Sequence, residues 1–310
     1  MRTIQTRTFT LKKVALALMI AAGTLSSAYA VVTGSTGTIR GVIPVLSSPA
    51  TSGAHSVDFV ASDPVSLKTG DTIAMNYKYT DNDGDTDDSI VMVHWYYVPN
   101  ATVGGGAYTP GTPVEITTGI SNVLAPNATG GVGGSTVTVP AVALGSKIKA
   151  VITEQSLTGD LRTGHVITYD DVSQVGSFGT GPEGEPGGST DGNTNVPSTP
   201  VAPGTGVEAR IVLVGGDGTN LIGTTTKLKV GSTYQFKLFT DDGVTDLTST
   251  VNYSWKLTGT SATAHTAAPA TGFNPDANFV VPANAAAQTI VVSQDGVQGF
   301  GLAIDYNARP

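Results

Sequence analysis

The chain has 310 residues and a formal net charge of −8, and only 13% of its residues are charged. An acidic chain with scattered lysine and arginine argues against nucleic acid as a partner. Because the chain has no cysteine, a disulfide framework is excluded and the fold has to rest on its hydrophobic cores.

The N-terminal segment, residues 1–30, has the pattern of a cleaved signal peptide. Basic residues come first, and the apolar run at 14–23 is too short to span a bilayer as a permanent helix. The "AYA" at 28–30 fits a cleavage site, so a mature chain of about 280 residues would begin at Val31. Removal of the four basic residues lowers the net charge from −8 to −12. We predict an exported protein, extracellular or at the cell surface, with the periplasm as the alternative and no membrane span after cleavage.

The mature chain is predicted to be all-β. Glycine accounts for 39 residues, and short runs of alternating apolar and polar residues are separated by Gly, Asn, Asp and Pro. Residues 176–206 contain almost no large apolar side chain and many Gly, Pro, Ser and Thr, which predicts an extended, semi-flexible linker. This division leaves one domain at 33–175 and a second at 207–310.

The two predicted domains resemble each other in sequence. One contains "SLKTGDTIAMNYKYTDNDGD" and the other "KLKVGSTYQFKLFTDDGVTD", so both have a Leu-Lys-x-Gly-x-Thr motif that leads into a strand. Trp95 follows the glycine of the first motif by 25 positions, and Trp255 follows that of the second by 24. Further on, residues 138–152 match residues 280–293. These spacings indicate two copies of one domain, the first with a longer insertion.

Alternation along the strands predicts which side chains are buried. In the first domain Tyr77 lies on the apolar face of its strand and Trp95 on that of the next, and Tyr253 and Trp255 share a face in the second domain. About seven short strands per domain suit a two-sheet sandwich, and a buried tryptophan on a middle strand is a hallmark of immunoglobulin-like sandwiches. We predict two tandem immunoglobulin-like β-sandwich domains with these four residues in their cores.

An acidic run, "DNDGDTDD" at 81–88, precedes the strand of the first tryptophan. Asp81, Asp83, Asp85 and Asp87 recur at every second position. The second domain has a shorter acidic segment at the same place, which favours a turn, since Asp and Asn bond their own backbone and Gly supplies positive φ. Alternate oxygen ligands also resemble part of a calcium loop, so weak Ca²⁺ binding, with a dissociation constant of about 10⁻⁴–10⁻³ M, is the alternative.

A glycine-rich insertion follows the first tryptophan strand. Its glycine runs lie at 103–108 and 127–135, and Tyr96, Tyr97 and Tyr108 lie near its start. Long loops on a rigid sandwich often carry binding function, and tyrosine is frequent at interfaces. A flexible, neutral insertion is one interpretation; a binding surface formed by this loop and its tyrosines is the other, and it is our candidate for a site.

The sequence contains no recognisable catalytic constellation. No histidine lies at metal-ligand spacing with another: His55, His94, His165 and His265. Glu115 and Glu154 are isolated along the chain, and the P-loop, His-Glu-x-x-His and Gly-x-Ser-x-Gly motifs are absent. We predict that the protein is not an enzyme and takes no cofactor other than the weak Ca²⁺; a periplasmic enzyme of unknown type is a further alternative.

The combination of "KTGDT", an alternating strand with tyrosines, "YTDNDGDTDDS" and "VHWYY" resembles bacterial immunoglobulin-like surface domains. With its signal peptide and cysteine-free tandem domains, the chain is similar to the SinI/Zir-type exported proteins, which accompany intimin- or invasin-like outer-membrane barrels. The motif-level match covers 66–97 and 227–257, and Ser232 stands where the first copy has Asp71. The resemblance implies a protein partner, an intimin-like barrel at the outer membrane or a host surface, and brings no catalytic residues.

We therefore expect an exported, non-enzymatic binding module, an accessory to an intimin- or invasin-like protein with a role in adhesion or host interaction. The alternative is a calcium- or carbohydrate-dependent adhesin that uses the Asp-rich turn.

Overall fold

A computed structural model of the chain describes residues 35–37, 41–101, 107–174, 179–180, 186–187 and 192–309. The predicted signal peptide, residues 1–30, lies outside these ranges. The chain divides into one unit at 1–40 and another at 41–310, and the strands belong to the second. Across the described ranges, none of the helices has the length and apolar character needed to cross a membrane.

The fold is all-β, as predicted, with 40% of the residues in strands and 6% in helices. Its several sheets are consistent with a β-sandwich. The strands are β1 (Val45–Ser47), β2 (Asp58–Ala61), β3 (Thr72–Thr80), β4 (Val93–Val98), β5 (Val114–Ile116), β6 (Ile120–Val123), β7 (Thr129–Thr138), β8 (Lys147–Gln155), β9 (Thr163–Tyr169), β10 (Gly179–Thr180), β11 (Pro186–Gly187), β12 (Val207–Leu213), β13 (Thr233–Thr240), β14 (Val251–Thr258), β15 (Phe279–Val280) and β16 (Gly301–Ala308). The helical elements of the described ranges are the α-helix α1 (Asn284–Ala287) and 3-10 turns at Ser89–Met92, Ala141–Ala143 and Thr248–Thr250.

The first hydrophobic core lies between two antiparallel sheets. One sheet has the order β1-β3-β7-β6, with β2 also paired to β3, and the other has the order β5-β4-β8-β9. On β3 the side chains of Ile73, Met75, Tyr77 and Tyr79 are fully buried and those between them are half-buried, which is the period of two of a strand with one face on the core. Trp95, on β4, is fully buried in the same core.

The second core is built by a sheet of order β12-β13-β15 and a pair of strands, β14-β16. Trp255 on β14 and Phe236 on β13 are fully buried. Tyr253 is half-buried at the margin of this core, where its ring packs on Phe236 with the ring centres 4.8 Å apart.

The internal repeat extends over part of each half. β3, an acidic turn, a 3-10 turn and β4 have counterparts in β13, an acidic turn, a 3-10 turn and β14, in the same order. The sequence match of 138–152 with 280–293 extends over only a short part of the structure. Pro140 and Pro282 each precede a helical turn, but only in the first half does a strand, β8, follow that turn. The second half has α1 there, and the three consecutive alanines at 285–287 favour that helix.

The second part of the predicted linker, residues 192–205, lies against the first core. Val196 and Val201 are buried, and the backbone N–H of Phe59 donates to Asn193 O at 2.8 Å. The backbone N–H of Thr69 donates to the carbonyl oxygen of residue 202 at 3.0 Å. This placement differs from the extended, semi-flexible linker expected from composition, because the few apolar side chains of the segment are buried and its backbone groups are paired.

The two cores are adjacent at Leu144. This side chain follows a 3-10 turn of the first half, yet it is fully buried in the second core. The neighbouring Gly145 N–H donates to Val201 O at 2.9 Å, and Asp241 N–H in the second half donates to Gly206 O at 2.9 Å. The segment that precedes β12 is therefore bonded to both halves of the fold.

The tryptophans should dominate the stability of their halves, because each indole is fully buried and hydrogen-bonded. Trp95 Nε1–H donates to Ser135 Oγ at 2.9 Å, and Trp255 Nε1–H donates to Ala277 O at 2.8 Å. We expect Trp95→Ala or Trp255→Ala to lower the free energy of unfolding by about 3–5 kcal/mol, and Trp95→Phe to cost less because the core stays filled. Urea denaturation followed by circular dichroism measures this, and an unchanged midpoint in either alanine variant would contradict the assignment.

Candidate functional site

The acidic loop after β3 brings three carboxylates together. Oxygen atoms of Asp81, Asp83 and Asp85 lie within 4.8 Å of one another. Asp81 Oδ1 accepts the backbone N–H groups of Asp83 at 3.1 Å and Gly84 at 3.2 Å, so the aspartate bonds the turn that follows it. Gly84 has a φ of 92°, a conformation that suits glycine.

Two buried polar atoms of this region have no hydrogen-bond partner among the described residues, Asp81 Oδ2 and Tyr79 Oη. Burial raises the pKa of Asp81, and the adjacent Asp83 side chain adds to that increase. The pKa of Asp83 is lowered, first by the adjacent Asp81 side chain and then by the N–H of Val42. Burial, and then the nearby carboxylates, raise the pKa of Tyr79, which keeps its hydroxyl neutral. An ionised Asp81 is thus a buried charge with one unpaired oxygen.

The carboxylate cluster also joins three segments of the first half. Asp83 Oδ2 accepts the backbone N–H of Val42 at 2.9 Å, and the hydroxyl of Thr158 donates to Asp85 Oδ1. The backbone N–H of Leu157 donates to Thr86 O at 2.8 Å. A cation at this cluster would therefore hold the segment before β1, the loop after β3 and the loop after β8.

Asp87 lies apart from the three clustered aspartates and is engaged in the core. Its Oδ2 accepts the Tyr77 hydroxyl at 2.7 Å and the N–H of Ala125 at 3.1 Å, and its Oδ1 accepts the N–H of Ser89 at 2.8 Å. Burial, and then the charge of Asp87, raise the pKa of Tyr77. The structure thus places Asp81, Asp83 and Asp85 as one candidate cation cluster and gives Asp87 to the Tyr77 contact.

The equivalent turn of the second half is bonded within itself. Asp242 Oδ1 accepts the hydroxyl of Thr240 at 2.5 Å and the N–H of Val244 at 2.9 Å, and these contacts lower its pKa. Asp246 accepts the N–H of Thr248 at 2.9 Å. Here the Asp-rich sequence serves the turn.

The three predicted binding tyrosines do not share one surface. Tyr97 packs on the first core with Trp95, whereas Tyr96 lies on the opposite face of β4, next to the ring of His94. Tyr108 is half-buried, and its hydroxyl donates to Val98 O at 2.5 Å. The alternation of β4 sends adjacent tyrosines to opposite faces.

A cleft of about 510 Å³ lies beside Tyr108. Pro110 and Pro113 line it from the inserted segment, and Lys147 and Lys149 line it from β8. The Lys147 ammonium lies 5.3 Å from the centre of the Tyr108 ring. The cleft thus combines an aromatic ring, proline rings and charged groups, which is the composition of a surface that recognises a polar ligand or a protein segment.

Both lysines of this cleft form salt bridges with aspartates. Lys147 Nζ lies 2.5 Å from Asp171 Oδ2, and Lys149 Nζ lies 2.5 Å from Asp170 Oδ1. Farther along the same sheet face, His94 Nδ1 lies 2.7 Å from Glu115 Oε1. The outer face of the β5-β4-β8-β9 sheet therefore carries paired charges around Tyr96 and Tyr108.

A second cluster, which the sequence spacing did not indicate, centres on Glu154. Its Oε1 lies 2.9 Å from His55 Nδ1, and its Oε2 lies 3.1 Å from His165 Nδ1. The backbone N–H of Leu46 donates to Oε1 at 2.8 Å, and that of His165 donates to Oε2 at 3.0 Å. The expectation that Glu154 and Glu115 are isolated is wrong, because strand pairing and a loop bring distant residues together. The spacing of the histidines along the chain did not indicate the contact between His55 and His165.

Part of this cluster has a signal in the sequence. In β8 the side chains of Ile148, Ala150 and Ile152 are buried, and the same period of two directs Glu154 to the core. His165 lies two positions before the buried Ile167 of β9, so the two side chains are on the same face of that strand. A carboxylate and a histidine on the apolar faces of successive strands would have suggested a pair; His55, in a loop, carries no such pattern.

No protein-family model matches this chain, and no curated protein sequence matches it.

The acidic cluster predicts a response to Ca²⁺. We expect millimolar Ca²⁺ to raise the melting temperature of the protein, because it would neutralise the buried Asp81, and we expect Asp83→Asn to abolish that rise. Without Ca²⁺, Asp81→Asn should raise the melting temperature at pH 7, since it removes a buried charge and keeps the Oδ1 acceptor.

Differential scanning calorimetry with and without Ca²⁺ measures both effects. The matched control is Asp242→Asn in the second acidic turn, which should leave the Ca²⁺ response unchanged. An equal Ca²⁺ response in the wild type and Asp83→Asn would contradict binding at this cluster.

The Glu154 cluster predicts a pH dependence of stability in metal-free protein. The hydrogen bond with Glu154 raises the pKa of His55 above 6.5; burial opposes this increase, and the charge of Glu154 adds to it. Protonated His55 therefore stabilises the fold fully below about pH 6.5, and this contribution is lost as the pH rises through the folded-state pKa.

Urea denaturation at a series of pH values, with a chelator present, measures this dependence. His55→Asn should flatten the decrease in stability above pH about 6.5. A His55 ring that titrates at or below that value by NMR would contradict the prediction.

Proposed function

We propose that this protein is an exported, non-enzymatic binding module of two tandem immunoglobulin-like β-sandwich domains. It acts through protein contacts at the cell surface, as an accessory to an intimin- or invasin-like outer-membrane protein, in adhesion or host interaction. The sequence resemblance supports the partner class, and the signal peptide pattern supports export.

The binding role is proposed from the side chains on the outer face of the β5-β4-β8-β9 sheet. Tyr96 and Tyr108 lie on that face, and the cleft beside Tyr108 is lined by proline rings and two Lys–Asp pairs. Tyrosine is enriched at interfaces because its ring offers apolar area and its hydroxyl a polar contact. Strands β4 and β8 would present Tyr96 and the two lysines to a partner, and the segment between β4 and β5 would present Tyr108 and the prolines.

A specific observation favours calcium-dependent recognition as a second candidate. Asp81 is 2% exposed, and its Oδ2 has no hydrogen-bond partner among the described residues, next to two further carboxylates. Calcium takes oxygen ligands of this kind, and a bound ion would order the loop for contact with a partner or a carbohydrate.

Photo-crosslinking in intact cells tests the proposed function. A photoreactive amino acid replaces Tyr96 or Tyr108 in the full chain, and mass spectrometry identifies the captured proteins after fractionation. We expect both positions to capture an outer-membrane protein, with the chain itself at the surface or in the medium.

The matched control places the same photoreactive residue at Val123, which is exposed on β6 in the other sheet. Capture of the same protein from Val123 with equal yield would argue against a binding face on the β5-β4-β8-β9 sheet. A purely periplasmic protein with no captured envelope partner would refute the accessory role.

A further inference from the structure

Glu154 is a buried acidic side chain that contacts two imidazoles. Its side chain is 0% exposed, and its ion-pair contacts in the described part of the chain are with His55 and His165 rather than with a lysine or arginine. Ionised groups are rarely buried without a paired charge or a metal ion. A carboxylate at this position would be balanced by a proton on an imidazole or by a metal cation.

The two imidazoles are arranged around the same carboxylate. The ring centres of His55 and His165 lie 3.9 Å apart, and both Nδ1 atoms lie 3.1 Å from Glu154 Oε2. A tetrahedral ion with bonds of about 2.0–2.1 Å holds its ligand atoms about 3.4 Å from one another. The two nitrogen–oxygen distances are thus a few tenths of an ångström shorter than this separation, and one ligand atom of each of the three residues lies within 4.8 Å of the others.

The surrounding backbone is built to hold this arrangement. The N–H groups of Leu46 and His165 orient the two carboxylate oxygens, as hydrogen bonds to metal-binding carboxylates commonly do. Gly164 leaves room for Glu154, because a Cβ at that position would lie 2.8 Å from Oε2. A register shift between β8 and β9 falls at the same place, and such irregularities are frequent beside functional sites.

His55 reaches the cluster from a left-handed backbone conformation. Its φ is 55°, which is uncommon for a residue other than glycine, and its N–H donates to Leu46 O at 2.7 Å. The loop is thereby bonded to β1 with the imidazole directed at Glu154. Such conformations persist where the surrounding structure holds them, often at ligand sites.

We propose that His55, Glu154 and His165 form a binding site for a divalent transition-metal ion, with Zn²⁺ as the ion that this ligand set suits best. Two imidazoles and one carboxylate are a frequent zinc ligand set, and they leave a fourth position for water. Nitrogen ligands separate this site from the oxygen-only cluster of Asp81, Asp83 and Asp85, which suits Ca²⁺. The site is independent of the proposed partner contact.

Zinc titration of the purified exported protein tests the proposal. After chelator treatment and dialysis, isothermal titration calorimetry at pH 7.5 should show one Zn²⁺ bound per chain, and Zn²⁺ should raise the melting temperature. His55→Asn should weaken binding at least about tenfold, since it removes one ligand. Asparagine tolerates positive φ, so this variant keeps the loop conformation.

Two controls locate the ion. His94→Asn removes the exposed histidine that pairs with Glu115, and Asp83→Asn alters the acidic cluster; both should bind Zn²⁺ as the wild type does. If His55→Asn does not fold, X-ray absorption of the zinc-loaded wild type provides an independent measurement, with two imidazoles expected in the coordination shell. Absence of stoichiometric Zn²⁺ binding, equal binding by His55→Asn, or a shell without imidazole would overturn the proposal.

Discussion

The indole of Trp95 joins the two sheets of the first half, and the rest of that half is arranged around it. Its ring lies on β4, meets Phe59 edge-on at 6.0 Å and donates its N–H to Ser135 on the facing sheet. Phe59 in turn meets Tyr169 of β9 at 4.8 Å. In a chain without cysteine, this series of aromatic contacts performs the cross-sheet role that a disulfide has in other small sandwiches.

Carboxylates complete the same core at the end where β3 and β8 stop. Asp87 and Glu154 are both buried, and each accepts backbone N–H groups from segments that cross this end of the sandwich. Strand pairing does not satisfy those N–H groups, so a buried acceptor is needed. The Tyr77 hydroxyl donates to Asp87, and the imidazoles of His55 and His165 contact Glu154, so both buried acidic side chains have polar partners. The side chains at this end of the sandwich therefore hold the crossing segments in place, and they also bring together oxygen and nitrogen atoms that could bind a metal ion.

The proposed interaction face and the two proposed cation sites occupy different parts of the first half. Tyr96, Tyr108 and the two lysine pairs lie on the outer face of the β5-β4-β8-β9 sheet, whereas the acidic cluster and the Glu154 cluster lie where β3 and β8 end. Ions at the end of the sandwich would order loops without covering the outer face. Both proposals can hold together, because they use separate side chains.

The sequence by itself determined the all-β class and the inward faces of β3, β4 and β8, because a period of two needs only local alternation. The same alternation contains the inward direction of Glu154 and His165, and it separates Tyr96 from Tyr97. Only the tertiary structure brought His55 to Glu154, from 99 positions away along the chain, and placed residues 192–205 on the first core. Contacts between distant segments depend on how the sheets pack and on where loops cross the ends of the sheets. Local alternation of apolar and polar residues determines neither.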